Sequence, residues 1–150
     1  MKKIVVIGGG FAGVNIARDL GRNPAYSITL IDKNNYNFFP PLIYQVAAGL
    51  MSPSDISYPF RKLFNRHPRV RFRKGTVTRV DCNARHVFLE QGGSVGYDTL
   101  IIALGSQPNY FGNREVEQNA YTMKTLGDAL AIRNTILRQL EEACSIDKNA

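Results

Sequence analysis

Three consecutive glycines end the first apolar run of this chain, and no ordinary turn needs so many. Lys3-Ile4-Val5-Val6-Ile7 has the character of a buried strand. Gly8-Gly9-Gly10 follow, and Phe11-Ala12-Gly13-Val14-Asn15-Ile16-Ala17 continues with helical spacing. Gly8, Gly10 and Gly13 stand at GxGxxG spacing. The first allows a sharp turn, the second lets a diphosphate approach bare backbone, and the third lets the helix pack closely on the strand. Such a loop aims the N–H groups of a helix start at an anion. A hydrogen bond to an ionised oxygen contributes about 1.5 to 3 kcal/mol, against about 0.3 to 1 for the helix dipole, so the directed donors dominate.

The motif gains weight from its surroundings. Tyr26-Ser27-Ile28-Thr29-Leu30-Ile31 reads as a second strand and ends in Asp32, about twenty residues past the last motif glycine, where a carboxylate meets a ribose diol. A carboxylate there repels a 2′-phosphate, so FAD or NAD is expected rather than NADP, and the motif alone does not separate those two. The plainer reading is a glycine turn in an ordinary parallel sheet with a surface aspartate.

Composition narrows the classes. The chain has 150 residues, 44% of them hydrophobic, and a net charge of +7, which fits one soluble domain with a real core. The opening Met1-Lys2-Lys3 imitates the start of a signal peptide, but the apolar run stops at the glycines, so no cleavable signal is expected. No run reaches the length of a membrane span. Cys82 and Cys144 form no CxxC pair and no zinc set, and His67 and His86 lie in Arg-rich surroundings without a nucleophile, so neither a metal site nor a catalytic residue is assigned. Arg61, Lys62, Arg66, Arg69, Arg71, Arg73, Lys74 and Arg79 crowd one segment. They suit an anionic lipid surface or a plain solvated face, and no motif of nucleic-acid recognition accompanies them.

Further along, Asn34 to Tyr44 is aromatic, broken by Pro40-Pro41 and too irregular for a crossover helix; a loop of that kind beside a cofactor site walls a ring or caps the core. Ser52-Pro53-Ser54-Asp55 predicts a helix start with Ile56, Phe60, Leu63 and Phe64 as its buried stripe. Tyr58 and Lys62 spell YxxxK, the proton-transfer pair of short-chain dehydrogenases, here by chance. Val70 to Val80 reads as one long strand. Arg85 to Glu90 and Val95 to Tyr97 continue it as an antiparallel meander. Tyr97 to Leu104 is a buried parallel strand whose Gly105 lets backbone pass close to the first glycine loop. Gly112 to Tyr121 reads as polar connection, and Thr125 to Cys144 as a helix with Leu126, Ala129, Leu130, Ile136, Leu137 and Leu140 on its apolar side. The expected fold is α/β: a Rossmann-like FAD/NAD(P)-binding domain, a parallel sheet carrying an antiparallel β-meander.

Taken together, the glycine loop, Asp32, the stretch Phe39-Pro40-Pro41-Leu42-Ile43-Tyr44-Gln45-Val46-Ala47, Ser52-Pro53 with Pro59-Phe60-Arg61, and Tyr97-Asp98 leading to Ala103-Leu104-Gly105 resemble the type II NADH:quinone oxidoreductases. These are flavoproteins with two dinucleotide-binding domains. The resemblance implies FAD in residues 1–122, with Gly8, Gly10, Phe11, Ala12 and Gly13 around the diphosphate and Asp32 on the adenosine ribose. It implies Lys33 and Asn34 at the neighbouring rim, Val77 on the adenine through its backbone, Ala103, Leu104 and Gly105 on the other flank, and Pro41 and Leu42 against the isoalloxazine. Leu104 and Pro40 depart from the family's usual Thr and polar residue.

Residues 123–150 are expected to lead toward a second, NADH-binding domain, and the family's quinone loop and membrane-anchoring helices are expected beyond residue 150. By itself the chain is expected to hold FAD weakly and not to turn over NADH; its expected location is cytoplasmic, with peripheral contact at the cytoplasmic face of the inner membrane as the alternative. Two other readings are a flavin-binding module completed by a second chain, and a sulfide:quinone or ferredoxin reductase. The sulfide enzyme needs cysteines near the flavin, and Cys82 in the meander is poorly placed for that.

Overall fold

The computed structural model describes residues 1–146. In chain order the elements are β1 (Lys2–Ile7), α1 (Phe11–Leu20), β2 (Tyr26–Asp32), β3 (Tyr36–Phe38), α2 (Ile43–Ala47), β4 (Ser57–Pro59), α3 (Phe60–Leu63), β5 (Val70–Lys74), β6 (Val77–Asp81), β7 (His86–Leu89), β8 (Ser94–Gly96), β9 (Thr99–Ile102), α4 (Arg114–Asn119) and α5 (Leu126–Ile146). Single 3-10 turns occur at Pro40–Leu42 and Pro53–Asp55. Two compact units emerge: Met1–Asn37 with Tyr58–Gly105, and Phe38–Ser57 with Ser106–Ala150.

The first unit is built on a parallel sheet of order β5-β2-β1-β9. Val5 pairs with Thr29 on one side and Leu100 on the other. Ile4, Val5, Val6 and Ile7 are all buried, as a strand covered on both faces requires, which is why β1 shows an unbroken apolar run instead of alternation. Successive side chains point to opposite faces. Ile4 and Val6 accordingly join Ala17, Ile28, Leu30, Phe60, Phe64 and Val70, while Val5 and Ile7 join Ile31, Val87 and Leu89 of the meander. The unit is three layers: helices, parallel sheet, antiparallel sheet β6-β7-β8. The expected α/β class and the meander are both present.

Several expected boundaries move. The long strand over residues 70–80 is two strands in two sheets: β5 runs parallel to β2, and β6 pairs antiparallel with β7. Basic and apolar residues alternate only from Val70 to Arg73; Lys74-Gly75-Thr76 interrupts the pattern, and a glycine inside a strand pattern is the sign of the break. Gly75 makes the turn, donating to the Asp32 carbonyl at 2.9 Å, and an added Cβ there would stand 3.1 Å from Leu89 Cδ1. The helix predicted from Ser52 is also divided. Ser52 and Asp55 do form a capping box, but the turn lasts three residues. Pro59 has no N–H and drives Tyr58 to extended backbone, so β4 intervenes and α3 starts afresh at Phe60. Its intended stripe still goes inside, with Ile56, Phe60 and Phe64 buried.

In the second unit, the polar stretch from Gly112 holds α4, capped by Asn113 Oδ1 accepting from the Val116 N–H at 3.1 Å. All of its residues are exposed, so it offered no apolar period to find. The irregular aromatic loop likewise contains α2, whose Ile43, Val46 and Ala47 are buried. α2 packs against α5. Five helical residues rise only about 7 Å, against about 31 Å for the 21 of α5. Leu126 and Ala129 are consequently buried, whereas Ile136, Leu137 and Leu140 are 46%, 53% and 58% exposed, so the predicted apolar side of α5 is covered only at its start.

α5 begins with a reciprocal cap. Thr125 Oγ1 accepts from the Asp128 N–H at 3.1 Å, and Asp128 Oδ2 accepts from the Lys124 and Thr125 N–H groups at 2.9 and 2.8 Å. Burial pushes the Asp128 carboxyl up, but bonds from the Lys124 and Thr125 backbone and from threonine hydroxyls outweigh it and hold the group below its ordinary range. A depressed carboxylate stabilises the fold above its unfolded pKa, about 3.9, and that contribution is lost as pH falls through the folded value. Thr125→Ala should cost about 1 kcal/mol in urea unfolding at pH 7. Asp128→Asn should cost less at pH 3 than at pH 7; an equal cost at both would remove the ionised cap from the account.

Candidate functional site

The strand order creates the site. From β1 the chain crosses to β2 and β5 on one side, and β9 lies on the other, so the C-terminal ends of β1 and β9 flank the point where the connections diverge, the place where open α/β sheets bind ligands. The Gly8 N–H donates to the Ile31 carbonyl and the Ala103 N–H to the Ile7 carbonyl, each at 2.8 Å. Gly8 has φ +101°, and a Cβ there would collide with the Ala103 carbonyl oxygen. A Cβ on Gly13 would collide with the Gly8 carbonyl oxygen, so α1 leans directly on the end of β1. Both motif glycines answer to close backbone approach within the protein.

Gly10 is different. It is the N-cap of α1 with φ −73° and ψ −168°, extended backbone open to any residue, and an added Cβ would meet nothing within 4 Å. Nothing in the described fold calls for glycine there. No side chain caps α1 and its first turn carries no acidic residue, so the amide end of the helix faces outward without a built-in anion.

Gly9, outside the motif, is held on three sides. Its N–H donates to Asp32 Oδ2 at 2.6 Å and its carbonyl accepts from Asn37 Nδ2 at 2.7 Å. A Cβ there would strike the tip of the Phe60 ring, which is fully buried and stacked on Phe72 at 4.7 Å. Asp32 Oδ1 accepts from the Asn34 N–H at 2.8 Å. The carboxylate assigned from sequence to a ribose therefore also brackets the glycine loop, and each oxygen keeps a further lone pair for a diol.

The remaining sequence-assigned residues fall in both units. Phe11 and Ala12 form the exposed first turn of α1, Lys33 is exposed, and Asn34 is half-buried beyond β2. Val77 opens β6, half-buried opposite Leu89. Ala103 is half-buried and Leu104 68% exposed. Gly105 was expected to let backbone pass near the first loop, but that approach is made by Ala103 on Gly8. Gly105 meets nothing within 4 Å and serves its own φ of +72°. Pro41 and Leu42 belong to the second unit, in its first 3-10 turn, exposed and half-buried respectively.

Sequence reasoning missed Gly9, Asn37 and Phe60. A third glycine beyond what the motif needs was the one visible sign. Lys62 lies over the Tyr58 ring, 5.3 Å from its centroid, a cation–π pair in place of a proton-transfer pair. Arg61 lies over Phe72 and Arg79 over Phe88, so part of the basic segment is spent on rings, while Arg71 and Arg73 project from the edge strand β5. Cys82 and Cys144 are free and exposed. Among the described residues no cluster could hold a metal ion, and no helix is long and apolar enough to cross a membrane.

Sheet order, glycine loop and meander define a Rossmann-type dinucleotide-binding oxidoreductase fold. The family model for pyridine nucleotide-disulphide oxidoreductases matches residues 2–144, and the chain belongs to that family. It is 41% identical over 144 residues to the type II NADH:quinone oxidoreductase NdhA of Mycobacterium tuberculosis, covering 94% of this chain and 30% of that protein. It is 30% identical over 152 residues to the mitochondrial external alternative NAD(P)H-ubiquinone oxidoreductase B2 of Arabidopsis thaliana, covering 95% and 26%. Among solved structures, the sulfide:quinone oxidoreductase of Aquifex aeolicus matches with TM-score 0.85 and 30% identity over 94% of this chain and 33% of that one. NDH2 of Plasmodium falciparum in complex with NADH matches with TM-score 0.82 and 28% identity over 95% and 30%. The chain thus spans under a third of the length of these relatives, apart from a third of the Aquifex enzyme.

The two outer glycines of the triplet should respond oppositely to a methyl group. Gly8→Ala meets both backbone collision and a strained φ and should cost at least about 2 kcal/mol. Gly10→Ala should leave stability unchanged or raise it by up to about 1 kcal/mol. Chemical unfolding of the two variants checks this, and equal losses would contradict it.

Proposed function

We propose that the chain holds FAD, as the flavin-holding portion of a type II NADH:quinone oxidoreductase. The observation that carries the reading is Gly10: a glycine that the described fold does not require, at the uncapped start of a helix, in a chain of this family. A diphosphate at that point would need the space that a side chain would take. The residues present fit the group. Gly10 leaves room, the first-turn amides of α1 supply donors, Asp32 retains acceptor positions for a ribose, and no acidic side chain in that turn repels an anion.

Within this reading Gly10, Phe11, Ala12 and Gly13 bind the diphosphate, and Asp32 orients the adenosine ribose and disfavours a 2′-phosphate. Lys33 and Asn34 form the rim, Val77 offers backbone to the adenine, and Ala103, Leu104 and Gly105 form the opposite wall. Pro41 and Leu42 are assigned to the isoalloxazine ring, where apolar side chains exclude water. When bound, the flavin supplies a two-electron relay from a reduced nicotinamide to a quinone. NADH and quinone sites, and a further NADH-binding domain reached through residues 123–150 or brought by another chain, belong to the proposal. So does peripheral contact of Arg69, Arg71 and Arg73 with anionic lipid at a cytoplasmic membrane face.

A sulfide:quinone reductase is the second reading, favoured by the Aquifex structural match. Against it stand the higher identity to the mycobacterial NADH enzyme and the position of Cys82, in the turn between β6 and β7.

Flavin fluorescence titration tests the proposal. The chain should bind FAD at least about tenfold more tightly than FMN, which lacks the diphosphate bridge and adenosine, a difference of about 1.4 kcal/mol. Gly10→Ala should erase most of that preference at unchanged stability. Equal binding of FAD and FMN, or an indifferent Gly10→Ala, would defeat the assignment.

A further inference from the structure

We propose that Asn37 is a positioning residue for the dinucleotide diphosphate, acting through the Gly9–Gly10 peptide, whose plane its side-chain amide fixes. The inference rests on the FAD reading above and adds a residue to it.

Asn37 lies in β3, outside every glycine motif, and is half-buried. Its Nδ2 donates to the Gly9 carbonyl at 2.7 Å. A carbonyl only accepts, so the side-chain amide must present its NH2 group and the orientation of Asn37 is determined. In a trans peptide the C=O and the following N–H point in opposite directions, and no cis bond occurs among the described residues. Fixing the Gly9 carbonyl toward Asn37 therefore directs the Gly10 N–H away from Asn37.

The preceding peptide is fixed as well, because the Gly9 N–H is held by Asp32 Oδ2 at 2.6 Å. The ring of Phe60 fills the side of Gly9 where a Cβ would stand, with Cε1 2.7 Å from that position. Glycine residues otherwise lose more conformational freedom on ordering than any other type, so a triplet of them makes a poor anion cradle unless something outside holds it. Asp32 supplies an acceptor and Asn37 a donor to the two polar groups of one residue, and Phe60 blocks the third direction. Of the three, Asn37 alone bonds the peptide that carries the Gly10 N–H.

The experiment compares the 150-residue chain with Asn37→Ala and Asn37→Asp. Three quantities are read: FAD dissociation constant, ligand-free melting temperature, and the 1H–15N resonance of Gly10 with and without FAD. Asn37→Ala should weaken FAD three- to tenfold. Asn37→Asp, which sets a carboxylate against the Gly9 carbonyl, should weaken it more than tenfold. Both should melt within a few degrees of the parent, and in both the Gly10 resonance should move in the ligand-free protein, where no FAD reading is needed. Parent-like FAD affinity in both variants with an unmoved Gly10 resonance would overturn the proposal. So would a large drop in melting temperature in both, which would make Asn37 a residue of the fold. Failure of the parent chain to bind FAD would instead remove the cofactor reading and leave the Gly10 resonance to decide whether Asn37 sets the plane.

Discussion

The bond from the Gly9 N–H to Asp32 joins the loop after β1 to the end of β2, and the path of the glycine loop depends on it. At 2.6 Å to an ionised acceptor it belongs to the stronger class of hydrogen bonds. Without it the Gly9 N–H would have no partner, and the triplet would rest on the Gly8 bond to the Ile31 carbonyl and the Asn37 bond to the Gly9 carbonyl. With it, and with β1 clamped between β2 and β9, the loop has a defined path and α1 starts where Gly13 can rest on Gly8. The carboxylate at the end of β2 thus shapes the loop, and in the proposal the same group also takes a ribose.

That arrangement also sorts the four glycines by cause. Gly8 and Gly13 are glycine because backbone presses on them, and Gly9 because Phe60 does. Gly10 has no such reason inside the protein. Gly10 is a residue choice that the described fold leaves unexplained, and the proposed flavin dinucleotide would explain it.

Much of this was legible beforehand, for physical reasons that can be named. The continuous apolar run of β1 marks a strand buried on both faces, and the apolar content of β2 and β9 was enough to find them, although β9, expected to be buried, is an edge strand with no buried residue and Ile102 65% exposed. What escaped was long-range or local in ways that periodicity does not record. The break at Gly75 falls where the alternation of basic residues stops, between Lys74 and Arg79, a glycine signal that the reading of one long strand passed over, and Pro59 divided a helix whose apolar stripe runs on past it. α4 has no buried face to betray it, and most of the apolar side of α5 is exposed because α2 is short. Asn37 and Phe60 were read as parts of an aromatic loop and a helix stripe. Their contact with Gly9 joins residues far apart in sequence, and no spacing rule reaches across that distance.

The central claim is that outward-facing amides at the start of α1 grip a flavin dinucleotide. A crystal structure of the chain grown with FAD tests it most directly. The account predicts diphosphate oxygens within about 2.7 to 3.2 Å of the amide nitrogens between Gly10 and Gly13, with the adenosine ribose on Asp32. A diphosphate bound elsewhere on the sheet, or a protein side chain folded into the space beside Gly10, would contradict it.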